Sequence, residues 1–111
     1  MEEKDFIKYW IWLTQIPYVG SVIEGRLLAK FKSPQDIYDA DEKCLREISG
    51  ITKRQIASIL QARSFDRAEK ILADCEKKKI YVLTKADIRY PKKAKQVKDA
   101  PSVLYYQGSF T

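Results

Sequence analysis

Two short stretches of this chain resemble each other, and both lie between amphipathic segments. The first covers residues 16–21 (IPYVGS) and the second covers residues 48–53 (ISGITK). Apolar residues at helical spacing on both sides predict that each stretch is a tight corner between two helices. In such a corner, the amides at the N-terminus of the second helix have no partner within that helix. Outward-facing amides of this kind can bind a phosphate, so the corners constrain both fold and function.

Capping residues divide most of the chain into short helices. Asp5, Ser33, Asp41 and Thr52 each stand where a side-chain oxygen can accept a hydrogen bond from a first helical turn. Pro34 suits the first helical position, and the four residues from Thr52 fit a capping box. These signals predict helices over residues 5–15, 21–31, 34–40, 41–48, from 52 onward, and 64–78. The first and second of these helices form one helix–corner–helix unit, and the fourth and fifth form another, with the third as a connector. The two units would bury each other's apolar faces.

The periodicity changes after the lysine run at residues 77–79. Residues 80–84 and 103–106 are rich in β-branched and aromatic side chains, which predicts two strands, and residues 91–97 suit a short basic helix. Two strands of this length do not form a stable sheet alone. We therefore expect a helical domain over residues 1–63. A connecting helix and the start of a second domain follow over residues 64–111, with the shift in composition near residue 79.

The formal net charge of +6 is concentrated in one segment. Residues 1–76 hold 12 Lys and Arg against 13 Asp and Glu, whereas residues 77–98 hold nine against one. Tyr81 and Tyr90 are interleaved with these cations, a combination that suits single-stranded nucleic acid. The alternative is a solvated lysine-rich surface around a strand edge. From this segment we select as candidate DNA contacts Arg89, Lys92, Lys93 and Lys95.

Helix–helix corners that bind phosphate favour a hydrophobic-Gly-hydrophobic-Gly turn, which leaves two or three amides facing the anion. The corners of this chain keep only part of this glycine pattern. Tyr18 occupies the first glycine position of one corner, and Thr52 occupies the second glycine position of the other. Glu24 adds a negative charge after the first corner, whereas two cations follow the second, which makes the second corner the better candidate. The alternative is that both corners only turn one helix against the next. The candidate phosphate contacts are Gly20, Ser21, Gly50, Thr52, Lys53 and Arg54.

Catalytic motifs are absent from the sequence. It has no histidine, no Walker A loop and no Gly-x-Ser-x-Gly elbow, and Cys44 and Cys75 belong to no CxxC pair. We therefore expect a non-enzymatic protein with no metal and no cofactor. The charged N-terminus and the lack of a long apolar run predict a cytoplasmic protein without a membrane segment.

Two parts of the chain resemble the DprA/Smf family of bacterial DNA-processing proteins. The pattern Leu83-Thr84, Asp87-x-x-Tyr90-Pro91 and residues 100–108 (APSVLYYQG) is similar to the entry of that family's Rossmann-like domain. Residues 9–17 (YWIWLTQIP), with Gly20 and residues 27–31 (LLAKF), resemble its N-terminal helical domain. The resemblance implies a mainly α fold. A paired helix-hairpin-helix (SAM-like) five-helix domain would precede a helix and two short strands that begin a truncated Rossmann-like α/β domain.

The resemblance also implies a function. Proteins of this family handle single-stranded DNA during natural transformation and recombination, pass it to a RecA-type recombinase, and have no enzymatic activity. Their main anion-binding loop and dimer interface follow the position of Gly108. Because this chain stops at Thr111, we expect it to be an N-terminal fragment whose two strands lack their sheet.

An alternative function is a protein-interaction or scaffold module with little DNA affinity. The near-neutral charge of residues 1–76 and the aromatic first helix, which carries Tyr9, Trp10 and Trp12, favour this interpretation. Trp10 and Trp12 would then lie either in the core or against a partner. Unpaired strand edges at residues 80–84 and 103–106 would also allow a homodimer.

Overall fold

The computed structural model of the chain describes residues 3–86, 90 and 102–107. Within these residues, helices precede a pair of strands, which confirms the prediction of a mainly α chain. The helices are α1 (Glu3–Thr14), α2 (Ser21–Phe31), α3 (Pro34–Asp39), α4 (Glu42–Arg46), α5 (Lys53–Gln61) and α6 (Asp66–Lys77). The strands are β1 (Ile80–Thr84) and β2 (Val103–Gln107).

The helices begin at three of the four predicted caps. The Ser33 hydroxyl and the Asp41 carboxylate each accept a hydrogen bond from the amide three residues later, at 3.3 and 2.8 Å. Thr52 and Gln55 form the predicted capping box. The prediction for Asp5 is wrong, because the residues before it are also helical and Asp5 lies inside α1.

A first core joins the two helix–corner–helix units. Five of its side chains have no exposed surface, and they come from five different helices: Leu13, Leu27, Ile37, Leu45 and Ile59. Each unit supplies part of this core, so neither unit buries its apolar stripe alone. The predicted mutual burial of the two units is therefore observed.

Both tryptophans of α1 are buried, although they belong to different cores. Trp12 is 3% exposed, its indole N–H donates to the Ala62 carbonyl at 2.6 Å, and its ring meets the Tyr38 ring edge-on at 4.8 Å. Trp10 packs in a second cluster with Ala68 of α6. The sequence allowed each tryptophan to lie either in the core or against a partner, and both lie in the core. They are therefore not the docking surface that the interaction hypothesis required.

The two strands pair with each other. β1 and β2 are antiparallel, with Ile80 opposite Gln107 and Thr84 opposite Val103. We expected two strands without a sheet and with unpaired edges. This expectation is wrong for the edges at which β1 and β2 pair with each other. Val103 packs beside Trp10 in the second cluster, so α1 and α6 supply the apolar surface that a lone hairpin lacks.

The second cluster links the start of the chain to its C-terminal part. Because α1 packs on α6 and on both strands, these elements share a core with the first helix. The division into residues 1–63 and 64–111 stays a prediction. A Rossmann-like sheet is mostly parallel, so the antiparallel pair does not carry its signature. The predicted helix over residues 91–97 lies outside the described residues.

Candidate nucleic-acid interface

The two corners have the same backbone conformation. Tyr18 and Gly50 occupy equivalent positions with positive φ, 68° and 79° respectively. In each corner the amide of the next residue bonds to a carbonyl three residues earlier, at 3.3 and 3.2 Å. Gly20 and Thr52 then cap the following helices in extended conformations, with φ of −94° and −98°. The corners are thus a structural repeat, as their sequences predicted.

The repeat also assigns each glycine its role. Only the first glycine position requires a left-handed conformation, and Gly50 fills it in the second corner. Gly20 is extended, and a Cβ placed there would meet nothing within 4 Å. A side chain is therefore tolerated at this second position, which explains why Thr52 replaces glycine without altering the turn.

Capping leaves two backbone amides of the second corner without a partner in the described part of the chain. Thr52 Oγ1 accepts from the Gln55 amide at 3.1 Å, and Gln55 Oε1 accepts from the Thr52 amide at 2.9 Å. The amides of Lys53 and Arg54 have no partner within the helix, and no other described residue supplies one. Both side chains are exposed. An anion approaching the start of α5 would therefore meet two amides, two cationic side chains and the positive end of a helix.

Further cations surround the second corner. Arg26 Nη1 of α2 donates to the Ser49 carbonyl at 2.6 Å, beneath the turn. Arg46 of α4 lines the same groove as Lys53, and its guanidinium lies 3.1 Å from the Glu42 carboxylate. Sequence reasoning missed Arg26 and Arg46, because neither follows a corner directly in the chain. Only the packing of α2 and α4 around the turn brings them there.

The first corner has the opposite electrostatic character. Glu24 lies in the first turn of α2, half-buried, and accepts a hydrogen bond from the Ser102 hydroxyl just before β2. Burial raises the pKa of the Glu24 carboxyl, while the Ser102 hydrogen bond and the nearby Lys85 oppose that shift. A carboxylate at this helix start disfavours a phosphate. Gly20 and Ser21 therefore remain candidate contacts in a less suitable setting.

Glu24→Gln is expected to stabilise the protein more at pH 7 than at pH 4. Because the folded pKa is raised above 4.5, the stabilising contribution of protonated Glu24 is present below that pH. It is lost as the pH rises through the folded pKa. Urea denaturation of the wild type and the variant at both pH values measures the difference. A difference that stays flat or shrinks with rising pH would contradict the burial of this carboxylate.

Asp41→Asn provides a control of opposite sign. The amide of Cys44 bonds to the Asp41 carboxylate and lowers its pKa, so its stabilising contribution is present above the unfolded pKa and is lost as the pH falls. Asparagine is also a good N-cap. In the same urea series, the free energy of unfolding of Asp41→Asn should fall furthest below that of the wild type at neutral pH. The two values should be closest at low pH.

The second unit also holds the first corner in place. Gln55 Nε2 donates to the Tyr18 carbonyl at 3.0 Å, and Ser58 Oγ donates to the Pro17 carbonyl at 2.6 Å. The Arg54 guanidinium lies 4.2 Å from the centre of the Tyr18 ring, and its Nη2 donates to the Tyr18 hydroxyl at 3.3 Å. The structure thus brings together Arg54, a predicted phosphate contact, and Tyr18, the residue that breaks the glycine pattern.

The remaining predicted contacts belong to the basic segment, residues 77–98. Arg89, Lys92, Lys93 and Lys95 lie outside the described residues. Of the same basic segment, residues 77–79 are exposed at the end of α6, and Lys85 lies near Glu24. The described lysines of the basic segment therefore lie at the end of α6 and just after β1, and the role of the segment stays a prediction.

The described part of the chain shows neither a metal cluster nor a membrane-spanning helix. Among these residues no three His, Cys, Asp or Glu side chains gather closely enough to hold a metal ion. Cys44 and Cys75 are both free thiols, and burial raises the pKa of Cys75. None of the described helices is long and apolar enough to cross a membrane.

The corners and their helices match a known class of domain. Residues 13–63 match the profile of the SAM-like helix-hairpin-helix tandem family. Together with the repeated turn geometry, this match confirms the predicted paired helix-hairpin-helix domain.

A relative extends the similarity over most of the chain. The chain is 29% identical over 100 residues to Protein Smf of Synechocystis sp., an alignment that covers 90% of this chain and 25% of that protein. The predicted resemblance to the DprA/Smf family is thereby confirmed. The chain spans about a quarter of the length of this relative. No solved structure matches the chain.

Proposed function

We propose that this chain is a non-enzymatic DNA-binding module of a DprA/Smf-type DNA-processing protein. In this proposal its second corner binds the phosphate backbone of single-stranded DNA. The observation that carries the proposal is the start of α5, after the left-handed Gly50. There the capping box leaves the amides of Lys53 and Arg54 without a partner in the helix, and both side chains are exposed. A backbone amide pair reads no bases, so binding at this corner would be largely independent of sequence.

The surrounding charges support the same site. Glu42, the acidic side chain in the adjoining groove, is paired with Arg46 at 3.1 Å. Arg26 adds a positive charge directly below the turn. An anion at the second corner would thus meet a net positive field, whereas at the first corner it would meet Glu24.

The wider context follows from the resemblance. We infer that the whole protein handles single-stranded DNA in transformation and recombination in the cytoplasm and passes it to a RecA-type recombinase. Residues 64–111 would then begin a Rossmann-like domain, through which the protein could form a homodimer. The basic segment around Arg89 and Lys92 would add phosphate contacts to those of the second corner.

Neutralising the second corner should weaken the salt dependence of DNA binding. Each phosphate contact contributes roughly 0.7 to the slope of log affinity against log salt for single strands. Lys53→Gln combined with Arg54→Gln should therefore reduce the magnitude of that negative slope by about 1.4, because both side chains are proposed to contact phosphates. Fluorescence anisotropy of a labelled oligonucleotide over a salt series measures the slope.

A matched pair on another helix provides the control. Arg67 and Lys70 of α6 are both exposed, and replacing both by glutamine makes the same change in net charge. We expect this second double variant to keep the slope of the wild type. Equal slopes in the two double variants would show that attraction is non-specific and would contradict a site at the second corner.

A further inference from the structure

We infer that Tyr18 and Arg54 form a stacking site for an unpaired DNA base, next to the phosphate held by the second corner. This inference rests on the proposed function, because the phosphate site beside it would bring the strand into reach. It assigns a binding role to the residue that breaks the glycine pattern of the first corner.

The first observation is the backbone cost of Tyr18. Its φ is 68°, a left-handed conformation in which the equivalent residue of the second corner is a glycine. Residues with a side chain lose about 1–2 kcal/mol in this conformation, and bulky residues adopt it rarely. Such strain persists where neighbouring contacts hold the backbone, as Gln55 and Ser58 do at this corner, and it is common at ligand-binding sites.

Burial does not offset this cost. Tyr18 is 62% exposed, the largest exposure among the large apolar and aromatic side chains of the described residues. Tyr18 contributes to neither core cluster. The ring of Tyr18 therefore lies at the surface, while its backbone has a conformation that only a glycine adopts without strain.

The contacts of Tyr18 suit a base-stacking role. Arg54 stacks on the ring at 4.2 Å from its centre and also donates to its hydroxyl, so the ring orientation is fixed. The carbonyl of Tyr18 is held by Gln55. A fixed aromatic ring beside a guanidinium is the combination that binds unpaired bases through stacking and cation–π attraction.

The surface next to the ring can accommodate a base. Pro17, Tyr18, Arg54 and Gln61 line an open groove of about 370 Å³, a volume typical of small-ligand sites. Gln61 is exposed at this groove and offers both a donor and an acceptor to a base edge. Arg54 belongs to this groove and to the start of α5, so the base and phosphate positions adjoin.

The test compares a thymidine oligonucleotide with an abasic oligonucleotide of equal length, bound by the full 111-residue chain at low salt. The wild type should bind the thymidine strand at least about fivefold more tightly, because stacking one base contributes at least that factor. Tyr18→Gly should reduce this ratio towards one. The same variant should keep or raise the thermal stability, because glycine adopts φ of 68° without strain.

Two further variants locate the effect. Tyr18→Phe retains the ring face and should restore most of the ratio that Tyr18→Gly removes. Tyr81→Leu replaces another exposed tyrosine, which is 55% accessible on β1, and should keep the wild-type ratio. A ratio lost in Tyr81→Leu but kept in Tyr18→Gly would overturn the assignment and move base stacking to the strand.

The outcomes separate this inference from the proposed function. Salt-dependent binding of both oligonucleotides with equal affinity would retain phosphate binding and overturn the base site alone. Absence of salt-dependent binding to either oligonucleotide would overturn both. A large fall in the thermal stability of Tyr18→Gly would show that the ring has a structural role, and would also overturn the inference.

Discussion

Trp12→Ala is expected to lower the free energy of unfolding by about 3–5 kcal/mol, the usual cost of removing a buried aromatic side chain. Trp12 is 3% exposed in the core shared by the two helix–corner–helix units, and its indole N–H donates to the Ala62 carbonyl. The substitution removes both the ring volume and that donor. Small domains have only about 5–15 kcal/mol in total, so urea denaturation should show a large shift in midpoint.

Two variants show which part of Trp12 matters. Trp12→Phe keeps most of the apolar volume but removes the indole donor, which leaves the Ala62 carbonyl only its bond from the Ser64 amide at 2.8 Å, so the loss should be intermediate. Phe6, on the same helix, is 51% exposed, and Phe6→Ala should change the stability by no more than about 0.5 kcal/mol. A fully stable Trp12→Ala would contradict the core position and would revive the aromatic face of α1 as a docking surface.

Gly50→Ala is expected to cost about 1–2 kcal/mol, because alanine is strained at positive φ. Gly50 has φ of 79°, and a Cβ there would overlap the Arg26 guanidinium. Arg26 would have to move and would lose its hydrogen bond to the Ser49 carbonyl. Because that movement also displaces a cation from the second corner, DNA affinity should fall together with stability. Thermal denaturation and anisotropy on the same variant measure the two effects.

Gly25→Ala is the matched control. Gly25 lies in the interior of α2, is exposed, and has open space around a new Cβ. Alanine is favoured over glycine there, so this variant should gain about 0.5–1 kcal/mol. The same chemical change thus has opposite signs at two glycines. A loss at Gly25 equal to the loss at Gly50 would contradict the special conformation of the corner.

Local signals were sufficient to predict most of the helices. The caps at Ser33, Asp41 and Thr52 depend on a side chain bonding an amide three residues away, and such bonds are encoded within one turn. The same locality explains the failure at Asp5. A residue suited to capping is also tolerated inside a helix when the residues before it continue the helical turn.

Contacts between distant residues could not be predicted in this way. The stack of Arg54 on Tyr18 and the bond from Arg26 to Ser49 both join separate helices. Their formation depends on how the two units pack, which no local pattern specifies. Pairing of β1 with β2 was missed for the same reason, because the apolar surface that stabilises it comes from α1 and α6.

The two corners have similar sequences but different surrounding charges. The two corners share one backbone shape, yet Glu24 accompanies the first, while Arg26 and Arg46 surround the second. The sequence indicated part of this contrast through Glu24 and Lys53. Arg26 and Arg46 are brought to the second corner only by the packing of α2 and α4. Their charges strengthen the preference for the second corner as the phosphate site.

The most direct test of DNA binding by this chain is fluorescence anisotropy of a labelled single-stranded oligonucleotide at low and moderate salt. The phosphate contacts proposed at Lys53 and Arg54 predict binding that weakens steeply as the salt concentration rises. Absence of binding at low salt, or binding that salt does not change, would contradict a DNA site in these 111 residues.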